Sequence, residues 1–138
     1  MALARKWFAF VPNLLTSLNL ACGSLAIYFV VVGQIKLAVF LMLTAAVFDF
    51  FDGFAARLLH VSGPMGKELD SLADVVSFGL LPGFLVLHMQ SHFLFKTTIA
   101  LMKPSSILEI LICLSTLIIP ILSAIRLAKF NIDTRQSD

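Results

Sequence analysis

The sequence predicts an all-α integral membrane protein, a helical bundle with four transmembrane helices in this chain. Three observations carry that expectation. Hydrophobic residues make up 59% of the 138 positions and charged residues only 13%, against roughly a quarter charged in an ordinary soluble domain. Mean hydropathy is +0.99. The apolar residues also gather into four runs, each close to the roughly 20 residues that a helix needs to cross the hydrocarbon core. A soluble globule this apolar would lack the polar side chains to cover its surface. Disordered chains, coiled coils and disulfide scaffolds are excluded on the same composition. The length admits four comfortable spans or six cramped ones and leaves no room for a separate soluble domain. Residues 1–138 therefore read as one transmembrane domain. A net charge of +2 is too small to suggest nucleic acid as a partner.

The first run extends from about Pro12 to Val32. Arg5 and Lys6 precede it, and Trp7 and Phe8 stand where an interfacial belt places aromatics. It is longer than the about 7–15 residues of a signal-peptide core, so it reads as a retained span. Gly33-Gln34 forms a turn into the second run, Ile35 to about Leu59, whose second half carries Asp49, Asp52 and Arg57. Breakers Ser62, Gly63 and Pro64 mark a loop from His60 to Met65. The third run goes from Gly66 to about Met89, with Asp70 and Asp74 in its first turns and a kink expected at Pro82. A connector from Gln90 to Ser106 leads to the fourth run, Ile107 to about Phe130, with a second kink expected at Pro120. Cys22 and Cys113 lie far apart in apolar runs. They form neither a metal nor a redox pair and read as small packed residues.

With four spans, Arg5, Lys6, Arg57, Lys67, Arg126, Lys129 and Arg135 fall on one side, and Lys36, Lys96 and Lys103 on the other. The positive-inside rule then puts both termini and the acidic cluster on the cytoplasmic side of a multi-pass protein.

That cluster is where chemistry is expected. Of eight acidic residues in the chain, four aspartates fall between positions 49 and 74 at the ends of two membrane helices. An aspartate at mid-membrane costs on the order of 3 kcal/mol, so packing alone does not account for four together. Asp49, Asp52, Gly53, Ala56 and Arg57 share one arc of a helix, and Gly66, Asp70 and Asp74 share another. Two antiparallel helices can point these arcs at each other and enclose a cage of carboxylate oxygens. Hard oxygen ligands select Mg²⁺, Mn²⁺ or Ca²⁺. Two divalent cations would balance four carboxylates, and paired metals serve phosphoryl chemistry. Arg57 is spaced to hold a phosphate.

Asp49-Phe50-Phe51-Asp52-Gly53-Phe54-Ala55-Ala56-Arg57, then eight residues, then Gly66, Asp70 and Asp74, reproduce the pattern DxxDGxxAR(x)8GxxxDxxxD at all eight fixed positions. The chain thereby resembles the CDP-alcohol phosphotransferase family. The resemblance implies transfer of a substituted phosphate from a CDP-linked donor to an alcohol, with release of CMP. It implies that Asp49, Asp52 and Asp70 are metal ligands, and that Asp74 shares the metal site and acts as base. The cofactors it implies are two divalent cations, Mg²⁺ or Mn²⁺. Gly53, Ala56 and Gly66 would give cytidine close access, Arg57 would contact phosphate, and Asn13 and Thr16 would contact the donor. Residues 12–19, 68–79 and 123–131 resemble the members that use L-serine as acceptor and CDP-diacylglycerol as donor. Val75, where phosphatidylglycerophosphate-forming members usually carry Lys, and Asn19, where they tend to carry Arg, point the same way. The family core has six transmembrane helices, so the resemblance implies that the C-terminal part of that fold lies outside these residues.

Other readings stand beside these. Glycerol phosphate or inositol phosphate is an alternative acceptor, and a divalent-cation transporter is an alternative use of the aspartates. Arg126 either snorkels at a helix end or binds the serine carboxylate. Asn13, Thr16 and Asn19 recur on one helical face, where hydrogen bonds between helices are the plain explanation. His88 and His92 read as interfacial. Gly79 and Gly83 form a GxxxG pair, read as close packing at a homodimer contact.

Overall fold

The computed structural model describes residues 2–59, 63–96, 98–99 and 106–136, with the side chains of 2–9, 95 and 133–136 outside that description. Residues 60–62 of the expected loop, Lys103, and the side chains of Arg5, Lys6, Trp7, Phe8 and Arg135 thus lie outside the described residues. The elements are α1 (Ala2–Val31), α2 (Ile35–Leu58), α3 (Pro64–Asp74), a π-helical segment (Val75–Leu80), α4 (Leu81–Phe95), α5 (Ile107–Ser115) and α6 (Ile118–Gln136). There is no strand among the described residues. Four stretches are long and apolar enough to cross a membrane: Phe10–Val31, Ile35–Leu58, Pro64–Leu94 and Ile107–Ile132. The chain is an all-α, multi-pass membrane bundle, as its composition predicts.

Helix packing follows side-chain size. Buried positions on α1 are Pro12, Thr16, Asn19, Gly23, Ala26 and Val30, alternately four and three apart. That is the seam of a helix meeting its neighbours at a shallow angle. On α2 the buried positions are Ala38, Ala45 and Asp52, seven apart. Small residues let the backbones approach, which matters in lipid because the solvent is as apolar as leucine and gives no hydrophobic push between helices. The opposite face of α2 exposes Phe40, Leu43, Val47, Phe50 and Phe54, a surface suited to acyl chains. Helix α1 packs against α2, α3, the π segment and α4, and α6 packs against the π segment and α4.

The turn at Gly33 is as expected, and its cause is visible. Gly33 has φ +82°. Its N–H donates to the Val30 carbonyl, and the Gln34 N–H donates to the Phe29 carbonyl. This is the Schellman closure of a helix, which needs a left-handed residue that glycine adopts without strain.

Four details sharpen these expectations. Helix α1 begins at Ala2, with Pro12 inside it; proline removes one backbone donor but does not end this helix. Helix α4 runs through Phe95, and Lys96 closes it in the left-handed region (φ 52°). The connector therefore starts later than Gln90, because Gln90 to Phe95 continue the apolar helix. Around Pro82 the interruption is a π-helical segment on its N-terminal side. There the Leu81 N–H donates to the Val76 carbonyl, five residues back. Around Pro120 the fourth run splits into α5 and α6 at a turn over Thr116-Leu117. Helix α5 starts with a reciprocal capping box between Ser106 and Glu109.

The GxxxG pair is used within the chain. A Cβ at Gly79 would lie 3.2 Å from Ser123 Cβ, and one at Gly83 would lie 3.2 Å from Pro120 Cδ. Both glycines admit α6, so close packing is correct and the assignment of this face to a homodimer contact is not.

Candidate active site

The last turns of α2 and the whole of α3 carry the aspartates. Oxygens of Asp49, Asp70 and Asp74 lie within 4.8 Å of one another. Spacing explains this: Asp70 and Asp74 are one turn apart on α3, and Asp49 faces them from α2. Each of the three is half-buried. Asp52, one turn along α2 from Asp49, is 4% exposed and lines the same cleft as Asp70, though it is not among the three whose oxygens converge within 4.8 Å. It lies beside Thr16 of α1. The two arcs thus do face each other, but three carboxylates form the tight group and the fourth continues the small-residue seam of α2.

Such a group is relieved by a bound cation or a shared proton. Like charges a few ångströms apart repel strongly where little water screens them. Asp52 Oδ2 and Asp74 Oδ1 are buried without a hydrogen-bond partner among the described residues. Converging carboxylates with orphaned oxygens form a hard-donor set that fits a hard divalent cation.

A cleft of about 90 Å³ opens beside Asp52 and Asp70. From α1 it is lined by Asn13 and Thr16, from α2 by Gly53 and Ala56, and from the first turn of α3 by Gly66 and Lys67. At about 30 Å³ per water, that space takes a phosphate-sized group, with the rest of a larger ligand extending from its mouth. The two motif glycines differ. A Cβ at Gly66 would meet Asn13 Oδ1 at 3.1 Å, so Gly66 lets α3 approach α1. A Cβ at Gly53 would meet nothing within 4 Å; its missing side chain leaves open space in the cleft rather than a helix contact.

The structure brings Asn13, Thr16, Asp52, Gly53, Ala56, Gly66 and Asp70 to this one cleft. It does not bring Arg57 or Arg126 there. Both are exposed and line none of the cavities described. The cation at the cleft is Lys67, which sequence reasoning counted only as a local charge. Its position three residues before Asp70, beside Gly66, was the available signal. An anion in the cleft would also meet the start of α3, where the helix dipole favours negative charge.

Asn19 makes the expected bonds between helices. Its Nδ2 donates to Asp49 Oδ1 at 3.4 Å, and its Oδ1 accepts from Ser77 Oγ at 2.8 Å. Ser77 was missed. Its signal was periodicity, since 70, 74 and 77 share a helical face. His88 and His92 pair on α4 with ring centroids 6.5 Å apart, about 20 Å along the helix from Asp74.

Comparison with known proteins agrees with this geometry. The family model described as CDP-alcohol phosphatidyltransferase matches residues 9–137. A CDP-diacylglycerol–serine O-phosphatidyltransferase of Bacillus subtilis (strain 168) is 37% identical over 124 residues, covering 90% of this chain and 62% of the relative. The protein of the same name from Helicobacter pylori (strain J99) is 33% identical over 127 residues, covering 92% of this chain and 48% of the relative. An archaetidylserine synthase of Methanothermobacter thermautotrophicus is 42% identical over 82 residues, covering 57% and 35%. The chain thus spans about half to three-fifths of the length of the first two relatives. No solved structure matches. With the family pattern intact, its aspartates converging beside a cleft lined by the motif glycines and the family model matching residues 9–137, the chain belongs to the CDP-alcohol phosphatidyltransferase family.

Proposed function

We propose that this chain transfers the phosphatidyl group of CDP-diacylglycerol to the hydroxyl of L-serine, giving phosphatidylserine and CMP. One observation carries the reading: Asp49, Asp70 and Asp74 converge within 4.8 Å next to a cleft lined by the motif residues Gly53, Ala56 and Gly66. Serine as acceptor is supported by the names of the relatives from B. subtilis and H. pylori.

In this reading Asp49, Asp52, Asp70 and Asp74 hold two divalent cations, Mg²⁺ or Mn²⁺. Bound there, the cations would supply positive charge against the pyrophosphate and the departing CMP. Asn13, Thr16, Gly53, Ala56 and Gly66 receive the nucleotide. Lys67, which lines the cleft, meets phosphate oxygens inside it, and Arg57, exposed outside the cleft, is left the weaker contact with the part of the donor that extends from it. Asp74 takes the proton of the serine hydroxyl as its oxygen bonds to the phosphorus that carries diacylglycerol, and the bond from that phosphorus to CMP breaks. The transfer is direct and inverts configuration at phosphorus. Arg126 is assigned the serine carboxylate. The site opens to the cytoplasm, where both termini lie, and the protein works as a homodimer in the bilayer.

The test is CMP release by the purified protein in lipid nanodiscs with CDP-diacylglycerol and Mn²⁺. The expected result is release that depends on L-serine. Release dependent on glycerol phosphate or inositol phosphate instead would replace the acceptor. No release with any acceptor, beside Mn²⁺ flux in sealed vesicles, would replace the enzyme by a transporter.

A further inference from the structure

We propose that Ser77, acting through Asn19, is a positioning residue for Asp49, so that the π-helical segment sets the geometry of the carboxylate triad. The inference rests on the reading of Asp49 as a metal ligand and adds two residues outside the family pattern.

Asn19 and Ser77 are both fully buried. A buried amide has one consistent orientation here. A carboxylate only accepts, so Asn19 must turn its Nδ2 toward Asp49 and its Oδ1 away. Ser77 then donates to that Oδ1 at 2.8 Å, and its oxygen also lies 3.4 Å from the Asn19 carbonyl. If Asn19 flipped, Asp49 would face another oxygen, and Ser77 would exchange its 2.8 Å bond for the longer contact with the Asn19 carbonyl. The hydroxyl therefore locks the amide, and the amide N–H aims the carboxylate. Three elements meet in this chain of bonds: the π segment, α1 and α2.

The surrounding residues are shaped for it. Gly23 is one turn from Asn19, and a Cβ there would collide with Ser77 Oγ. The absence of a side chain at Gly23 is what lets Ser77 reach α1. Ser77 stands in the π segment Val75–Leu80, buried, one turn beyond Asp74 on the same face, and from there its hydroxyl reaches Asn19 in the α1 seam. Pro82 follows two residues after this segment and withholds a donor from it, so the irregular turn has a cause in sequence.

The test is Mn²⁺ binding to the full chain in nanodiscs, read by electron paramagnetic resonance, with CMP release measured in parallel. Ser77→Ala is expected to weaken Mn²⁺ about tenfold, the lower end for partners that orient metal ligands. Gly23→Ala removes no polar group but pushes Ser77 off Asn19, and is expected to weaken Mn²⁺ similarly. In an Asn19→Ala background, Ser77→Ala should change the affinity by less than about twofold, because the relay is already cut. Gly79→Ala crowds the same π segment against Ser123 with no tie to Asp49, and should leave the affinity within about twofold. The inference is overturned if Ser77→Ala and Gly23→Ala bind Mn²⁺ like wild type, or if Gly79→Ala weakens it as much as they do. If Ser77→Ala does not fold, Ser77→Cys, with a weaker donor of similar volume, is held to the same thresholds. Wild type that binds Mn²⁺ but releases no CMP refutes the proposed function and leaves this test intact. Wild type that binds no Mn²⁺ refutes both.

Discussion

The two halves of the α1 seam do opposite jobs. Toward one end it presents Thr16 and Asn19 to Asp52 and Asp49. Toward the other it presents Ala26 and Val30, which pack with Ala38 and Leu81 in a fully apolar cluster. The same helices cross at both ends with the same four-three spacing, yet one end gathers like charges and the other gathers methyl groups. The apolar end is held by close packing of small side chains, and that contact opposes the repulsion at the aspartate end. The polar end thus borrows its geometry from the apolar one, and changes at the two ends should separate cleanly into chemistry and stability.

The largest effect is expected at the triad. Asp74→Asn should lower kcat for CMP release by about a hundred- to ten-thousand-fold, as for loss of a general base, while CDP-diacylglycerol still binds. In chelator, the same variant should unfold at a higher temperature than wild type, because one like charge is gone. A lower unfolding temperature would mean that Asp74 serves the fold. Chelation alone should abolish CMP release, and Mn²⁺ or Mg²⁺ should restore it.

A smaller loss is expected at the mouth of the cleft. Lys67→Ala should raise KM for CDP-diacylglycerol about ten- to a hundredfold, from a charge-assisted contact of about 1.5–3 kcal/mol, with kcat little changed. Arg57→Ala, exposed outside the cleft, should raise it less. The reverse order in steady-state kinetics would return the phosphate contact to Arg57.

At the apolar end, Val30→Ala should cost about 1–2 kcal/mol in thermal unfolding, because it leaves a small void without a compensating transfer term. Mn²⁺ affinity should not change. A loss of Mn²⁺ affinity here would show that the two ends are less separable than their side chains suggest. The smallest effect is expected for Gly53→Ala. Its Cβ would point into open space, so stability should hold while KM for CDP-diacylglycerol rises a few-fold.

Much of this was legible in the residues. Composition and run length predict the four spans, and the aspartate spacing predicts opposed arcs. Other features depend on which neighbour arrives. Gly79 and Gly83 advertise a close contact, but only the folded chain shows that Ser123 and Pro120 fill it. Asp52 reads as equivalent to Asp49, yet it lies in the α2 seam with Ala38 and Ala45, so burial separates the two. Arg57 carries the motif yet is exposed and lines no part of the cleft, while Lys67, with no place in the pattern, does. A helical projection ranks residues by angle alone, and it cannot say where a neighbouring helix ends.

The membrane class, the pairing of acidic arcs and the family follow from residue types and their spacing, because lipid demands long apolar helices and buried carboxylates demand a purpose. The choice of Asp49, Asp70 and Asp74 as the tight group, the relay from Ser77 and the use of the glycine pair by α6 arise only when α1, α3 and the π segment meet. Those contacts join residues about twenty to sixty positions apart, separations at which local periodicity carries no information and packing alone decides.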